Sequence, residues 1–203
     1  MSEHHHPARP KSPQQLRAEA LEAVLIERGL VSTDAVDAVV DLFEREIGPQ
    51  NGARMVARAW VDAAYRERLL TDGAAAAAEL GYGGAEGEHL RVVENAPGVH
   101  NVIVCTLCSC YPWPVLGIPP VWYKSPPYRA RVVREPRAVL GEFGLELPDD
   151  VEIRVWDSSA EMRYMVLPMR PEGTDGMSEA ELAGLVTRDC MIGTAVPRVG
   201  VTA

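Results

Sequence analysis

Three of the four cysteines stand within six residues, Cys105-Thr106-Leu107-Cys108-Ser109-Cys110, and the fourth, Cys190, lies far along the chain. A disulfide framework spreads its cysteines to close loops, so this clustering points to metal binding or redox chemistry instead. A thioredoxin-like site needs a helix to open after its first cysteine, which Pro112 and Pro114 oppose. A closed structural zinc site needs four ligands, usually as two spaced pairs, and His100 or Cys190 would have to complete the set. The Cys108-Ser109-Cys110 end suggests something sharper. With both thiolates on one ion, the backbone nitrogens of Ser109 and Cys110 lie beside it and close short chelate rings. Such a claw of two sulfurs and two nitrogens is nearly planar, which suits a strongly Lewis-acidic trivalent ion better than tetrahedral zinc. Cys105 is then placed to bind from one axial side, leaving the opposite side open for water or substrate.

Positioning such a claw takes rigid flanks. Residues 99–104 (VHNVIV) lead into it and, with 89–95 (HLRVVEN) across Ala96-Pro97-Gly98, predict a pair of strands. Residues 151–156 and 162–168 again read as strands, and 135–143, ahead of both, as a short helix. Ser178 and Glu181 form a capping box that opens a helix to about Arg188. Directly after the cysteines, residues 111–127 carry Pro112, Pro114, Pro119, Pro120, Pro126 and Pro127, which forbid a continuous helix or a central strand. Trp113, Trp122 and Tyr123 make this stretch either a rigid surface loop or the wall of a pocket.

The first eighty residues read as helices joined by short turns. One spans 13–28 with Gly29 as its stop. A second is capped by Ser32 or Thr33 and carries Val36, Val39, Val40, Phe43 and Ile47 at helical spacing. A third covers 52–70, and the alanine run 74–78 predicts a fourth. The fold class is therefore α+β: an N-terminal helical arm over 1–81, too thin to hold a core alone, then a mixed α/β layered domain over 82–203 that carries the metal loop.

Composition sets bounds on partners. A net charge of −9 argues against a nucleic-acid backbone or an anionic membrane as partner. No apolar run approaches the roughly 20 residues of a membrane-spanning helix, and no apolar region of a secretory leader follows the start. A cytoplasmic location is the expectation. The run His4-His5-His6 reads as part of a polar terminal arm rather than as a metal site.

Residues 104–120 (VCTLCSCYPWPVLGIPP) closely resemble the metal motif of nitrile hydratase α subunits. The likeness continues through 122–125 (WYKS), 128–137 (YRARVVREPR), 155–159 (VWDSS), 163–168 (RYMVLP), 170–176 (RPEGTDG) and 186–193 (VTRDCMIG). The resemblance implies a hydro-lyase that adds water to a nitrile and releases an amide. It implies metal ligation by the sulfurs of Cys105, Cys108 and Cys110 and by the backbone nitrogens of Ser109 and Cys110. It further implies oxidation of Cys108 to sulfinic and Cys110 to sulfenic acid, successive rungs of the thiol ladder. Threonine after the first cysteine, as Thr106 is here, goes with non-corrin cobalt(III) members; iron(III) members usually have serine. A separate β subunit with arginines for the oxidised sulfurs is implied, in an α2β2 or αβ assembly, and an activator protein could load the cobalt. Either the Cys110 sulfenate oxygen or a water activated by the metal attacks the nitrile carbon.

Other positions follow from the same resemblance. Asp157 and Glu161 match acids behind the metal, and would share a face if their segment were helical. Trp113 matches a substrate-pocket wall, and Glu86 falls where relatives have a glutamine near the active site. Met177 replaces a common tryptophan. Arg129 and Arg134 serve a β-subunit interface or, as the safer expectation, internal salt bridges. Cys190 is expected to be a buried thiol rather than a ligand. Two alternatives stand beside the nitrile hydratase reading. One is the γ subunit of thiocyanate hydrolase, which has a very similar cobalt claw; the other is a structural zinc module with unoxidised cysteines.

Overall fold

Proline starts the first helix and glycine ends it. Pro13 opens α1 (Pro13–Glu27) where a missing N–H costs nothing, and Gly29, at φ +67°, turns the chain out of it. Ser32 then caps α2 (Thr33–Asp41), its hydroxyl accepting the Ala35 N–H at 3.2 Å. The computed structural model describes residues 13–43, 47–83 and 89–200. Chain contacts divide it into two compact units, Met1–Asp41 and Leu42–Ala203. Within the first unit no described side chain is buried, and Leu16, Leu21, Val39 and Val40 are exposed.

The second unit begins with α3 (Gly48–Val61), α4 (Ala63–Thr71) and α5 (Gly73–Glu79). The helix expected over 52–70 is therefore two helices. Asp62 is extended, and its carboxylate accepts the Tyr65 N–H at 2.9 Å, so it restarts the helix rather than continuing it. Asp72 repeats the device for α5 by accepting from Ala75. Each restart turns the chain, so Met55, Val56, Tyr65, Leu69 and Ala76 are buried in one core with the strands.

Four strands follow: β1 (Leu90–Glu94), β2 (Val99–Val104), β3 (Glu152–Asp157) and β4 (Arg163–Leu167). Their pairing corrects the expected β1–β2 pair. β1 pairs with β4 and β2 with β3, both in parallel, and an isolated bridge from Ala96 to Val99 is what joins the first two at their turn. Buried amides explain the divergence. The Asn95 side chain accepts the Asn101 N–H at 2.8 Å, and Asn101 Nδ2 donates to the Glu94 carbonyl at 2.7 Å. Side chains thus satisfy backbone groups that a hairpin ladder would have used.

A parallel β2–β3 pair needs a long crossover. Residues 105–151 supply it, with α6 (Trp113–Leu116), a 3₁₀ turn (Val121–Lys124), α7 (Pro126–Arg131) and α8 (Pro136–Glu142). The prolines that forbid a long helix here open short ones, since α6, α7 and α8 each have proline in the first two positions. Near the end, α9 (Glu179–Ala183) has the expected capping box but stops at Gly184. A separate helix, α10 (Arg188–Ile192), starts under a Thr187 cap, so the helix expected to about Arg188 ends early, at Ala183.

Candidate metal centre

The β2–β3 register places the cysteine loop. Val104, the last residue of β2, faces Asp157, the last of β3, and the Ser158 N–H donates to the Val104 carbonyl at 2.6 Å. One step further, the Asp157 carboxylate accepts the Thr106 N–H at 2.9 Å and the Thr106 hydroxyl at 2.6 Å. The loop's first turn is therefore held by the neighbouring strand. Arg129 of α7 donates from Nη1 to the Cys108 carbonyl at 2.7 Å, and the Tyr123 hydroxyl donates to the Cys110 carbonyl at 3.2 Å. Behind the loop, Tyr111 and Tyr123 meet edge to face with ring centroids 5.1 Å apart. Tyr128 donates to the Ile103 carbonyl at 2.7 Å.

These constraints bring all three sulfurs within 4.8 Å of one another. Cys105 Sγ lies 3.3 Å from Cys108 Sγ, which lies 3.0 Å from Cys110 Sγ, and all three thiols are free. Cys105 is fully buried, Cys110 is half-buried and Cys108 is exposed. The side chains of Cys110 and then Cys105 pull the Cys108 thiol down to about 7. Burial, and next the bond with Cys108, push Cys110 up to about 12. Thiolate is the form that binds metals, and Cys108 is the thiol its neighbours draw toward it. A set of three convergent sulfurs fits a transition-metal ion.

Cys108, Ser109, Cys110, Trp113, Ala160 and Arg163 line an open depression of about 530 Å³. Trp113, the first residue of α6, stands edge-on to Phe43 at 5.6 Å and forms the apolar side. The larger groove, about 880 Å³ between α3 and α9, contains no thiol.

The remaining expected residues fall into groups. Asp157 reaches the loop, whereas Glu161 sits on the exposed turn between β3 and β4, so the two share no helical face. His100 and Cys190 stand apart from the three thiols. His100 is buried between Asn95 and the Gly193 carbonyl, and Cys190 is a buried thiol beside the Thr187 hydroxyl. Neither completes a four-ligand zinc set. Arg129 and Arg134 donate to backbone carbonyls, of Cys108 and Ala130, in place of the expected salt bridges among the described residues. Met177 is half-buried beside the 170–176 turn, its N–H donating to the Thr174 carbonyl. Glu86 and His4–His6 lie outside the described residues. The contacts of Arg129 and Tyr123 were missed from the sequence, because nothing local marks a side chain that will meet a carbonyl many residues away.

Fold and site together define a mixed α/β chain that presents a metal-binding thiol loop at the end of a parallel strand pair. The family model described as nitrile hydratase, alpha chain, matches residues 12–195. The low-molecular-weight cobalt-containing nitrile hydratase subunit alpha of Rhodococcus rhodochrous is 58% identical over 190 residues, 93% of this chain and 92% of that protein. Thiocyanate hydrolase subunit gamma of Thiobacillus thioparus is 47% identical over 194 residues, 90% of this chain and 79% of the relative. Among solved structures, a double mutant of the Fe-type nitrile hydratase from Comamonas testosteroni superposes with a TM-score of 0.84. It is 44% identical, with 96% of this chain and 95% of that chain covered. The chain belongs to the nitrile hydratase α-chain family, the metal-bearing catalytic subunits of nitrile-hydrating enzymes.

Proposed function

We propose that this chain is the α subunit of a cobalt-type nitrile hydratase, converting a nitrile to its amide. The convergence of three thiols, two of them on the wall of an open depression beside Trp113, carries this reading. The sulfurs of Cys105, Cys108 and Cys110 and the backbone nitrogens of Ser109 and Cys110 would hold the ion, with Cys108 as sulfinate and Cys110 as sulfenate. A non-corrin cobalt(III) ion held there supplies Lewis acidity that polarises the nitrile without net redox change. Cobalt is preferred over iron(III) because the Rhodococcus relative is named as cobalt-containing, although an Fe-type neighbour shares the fold.

The chain's own residues do the rest. Trp113 packs against the organic part of the substrate and limits water beside it. Asp157 keeps Thr106 in place, and with it the turn that separates Cys105 from Cys108. The sulfenate oxygen of Cys110, or a water positioned beside it, attacks the nitrile carbon. Glu161 on its exposed turn and Glu86 are the acids assigned to proton movement and substrate contact. A β subunit, in an α2β2 assembly, completes the pocket over exposed Cys108 and supplies donors for the sulfur-bound oxygens. A cytoplasmic location and a cobalt-loading protein belong to the same proposal. No helix among the described residues is long and apolar enough to cross a membrane.

The 47% identity to a thiocyanate hydrolase gamma subunit over most of the chain favours one second reading, hydrolysis of thiocyanate at the same centre. Mass analysis of the unreduced tryptic peptide 92–124 from the metal-loaded protein tests the claw. Two added oxygens on Cys108 and one on Cys110 are expected; three unmodified thiols with metal in place would remove the catalytic reading. Turnover of nitriles against thiocyanate then separates the two activities.

A further inference from the structure

Arg129 lies outside the cysteine loop, yet its Nη1 reaches the Cys108 carbonyl oxygen at 2.7 Å. That oxygen and the Ser109 nitrogen belong to one peptide group, a single resonance unit in which charge gained at nitrogen is shared with oxygen. Tyr123 provides the contrast. It donates to the Cys110 carbonyl, whose peptide nitrogen is that of Tyr111 and is not among the proposed ligands. Among the described residues the nearby carboxylates of Glu135 and Glu142 pair with Arg131 rather than Arg129, and the buried Arg129 Nε has no hydrogen-bond partner. A guanidinium is charged at any working pH, so its full charge faces the loop's backbone.

We propose that Arg129 is a positioning residue of the metal centre, whose charge on the Cys108 oxygen stabilises the Ser109 nitrogen as an anionic ligand and favours metal retention. This rests on the reading of backbone nitrogens as ligands. An ion held by the loop would take the Ser109 nitrogen as a ligand in place of its proton, which would pass to solvent water, leaving the nitrogen's electron pair to be shared with the ion. A hydrogen bond from a cation strengthens as its acceptor gains negative charge, so Arg129 favours the loaded loop over the empty one. A mere tether between α7 and the loop would favour both alike.

The test compares the cobalt-loaded protein, with its partner subunit, as wild type, Arg129→Lys and Arg129→Gln. Lysine keeps the charge, and glutamine keeps a donor without it. The readouts are cobalt release to EDTA and the sulfur-to-cobalt charge-transfer absorption band. Arg129→Gln should release cobalt roughly tenfold to a hundredfold faster with a shifted band, and Arg129→Lys should stay within about threefold. Equal rates and unshifted bands in both variants would overturn the proposal. So would glutamine matching wild type where lysine fails, which is the pattern of a tether.

A measurement on the wild type alone covers the case in which Arg129→Gln does not fold. With ¹³C-carbonyl cysteine or serine, the infrared difference on cobalt loading should show a larger downward shift at Cys108 than at Ser109. The Ser109 oxygen shares the other proposed nitrogen ligand but meets no guanidinium among the described residues. An equal or smaller shift at Cys108 counts against the role. X-ray absorption of the wild type separates the two levels of failure. A sulfur-only shell removes the nitrogen ligands and this proposal with them, while sulfur plus nitrogen with indifferent variants removes Arg129 alone.

Discussion

The two ends of β2 handle polar atoms in opposite ways. At its start, buried Asn95, His100 and Asn101 meet the Glu94 and Gly193 carbonyls, Trp156 Nε1 and one another, so their polar atoms are closed off. At its other end the thiols converge half-open beside a depression, and the groups holding them grip the backbone of the loop rather than the sulfurs. A saturated polar cluster specifies a fold. A cluster whose donor atoms stay accessible is built to bind something else, and β2 joins the two.

The comparison can be broken most severely at the thiols. Cys110→Ser should abolish nitrile hydration while leaving the thermal unfolding midpoint nearly unchanged. Near-normal turnover with metal bound would take the loop out of the chemistry. At the opposite end, Gly193→Ala should unfold rather than inactivate. A Cβ there would lie 2.1 Å from the Asn101 carbonyl oxygen, at φ +93°. A cost of about 3 kcal/mol or more follows, lowering the midpoint by roughly 6–12 °C in calorimetry. An unshifted midpoint would show that this corner does not hold the fold.

Two smaller effects sharpen the contrast. Asp157→Asn keeps an acceptor but loses the charge that holds Thr106. Its stability should fall by about 1 kcal/mol, since the pair is exposed, while metal affinity falls roughly tenfold. Stability loss without metal loss would make Asp157 a fold residue only. His100 gives the smallest signal. Its Nδ1 accepts from Asn95 and its Nε2–H donates to Gly193, and burial holds its pKa below the ordinary 6.5. The unfolded chain therefore takes up a proton first on acidification. Stability should be full above about pH 6.5 and decline below it, no more steeply than about 1.4 kcal/mol per pH unit. His100→Gln should flatten that dependence in chemical denaturation across pH 5–7.5, and an unchanged slope would assign it to another group.

Local features were readable without the fold. The capping box at Ser178, the cap at Ser32 and the strands at 99–104 and 151–156 all appear where short-range patterns put them. Local pattern misleads where one residue redirects the chain. Asp62 fits the interior of a helix by local pattern, since aspartate is tolerated there, and only its carboxylate's bond to Tyr65 makes it the start of a new one. The β1–β2 pair was the natural reading of two strands across a proline–glycine turn, yet buried amides at that turn sent each strand to a distant partner.

The sequence by itself determined the chemistry on offer: three thiols within six residues must stay near one another whatever the fold, and prolines must break the segment after them. Tertiary structure alone decided how they are held. Thr106 meets Asp157 across 51 residues and Cys108 meets Arg129 across 21. Such contacts depend on which strand lies beside β2, and that choice comes from burial and hydrogen bonding summed over the whole core.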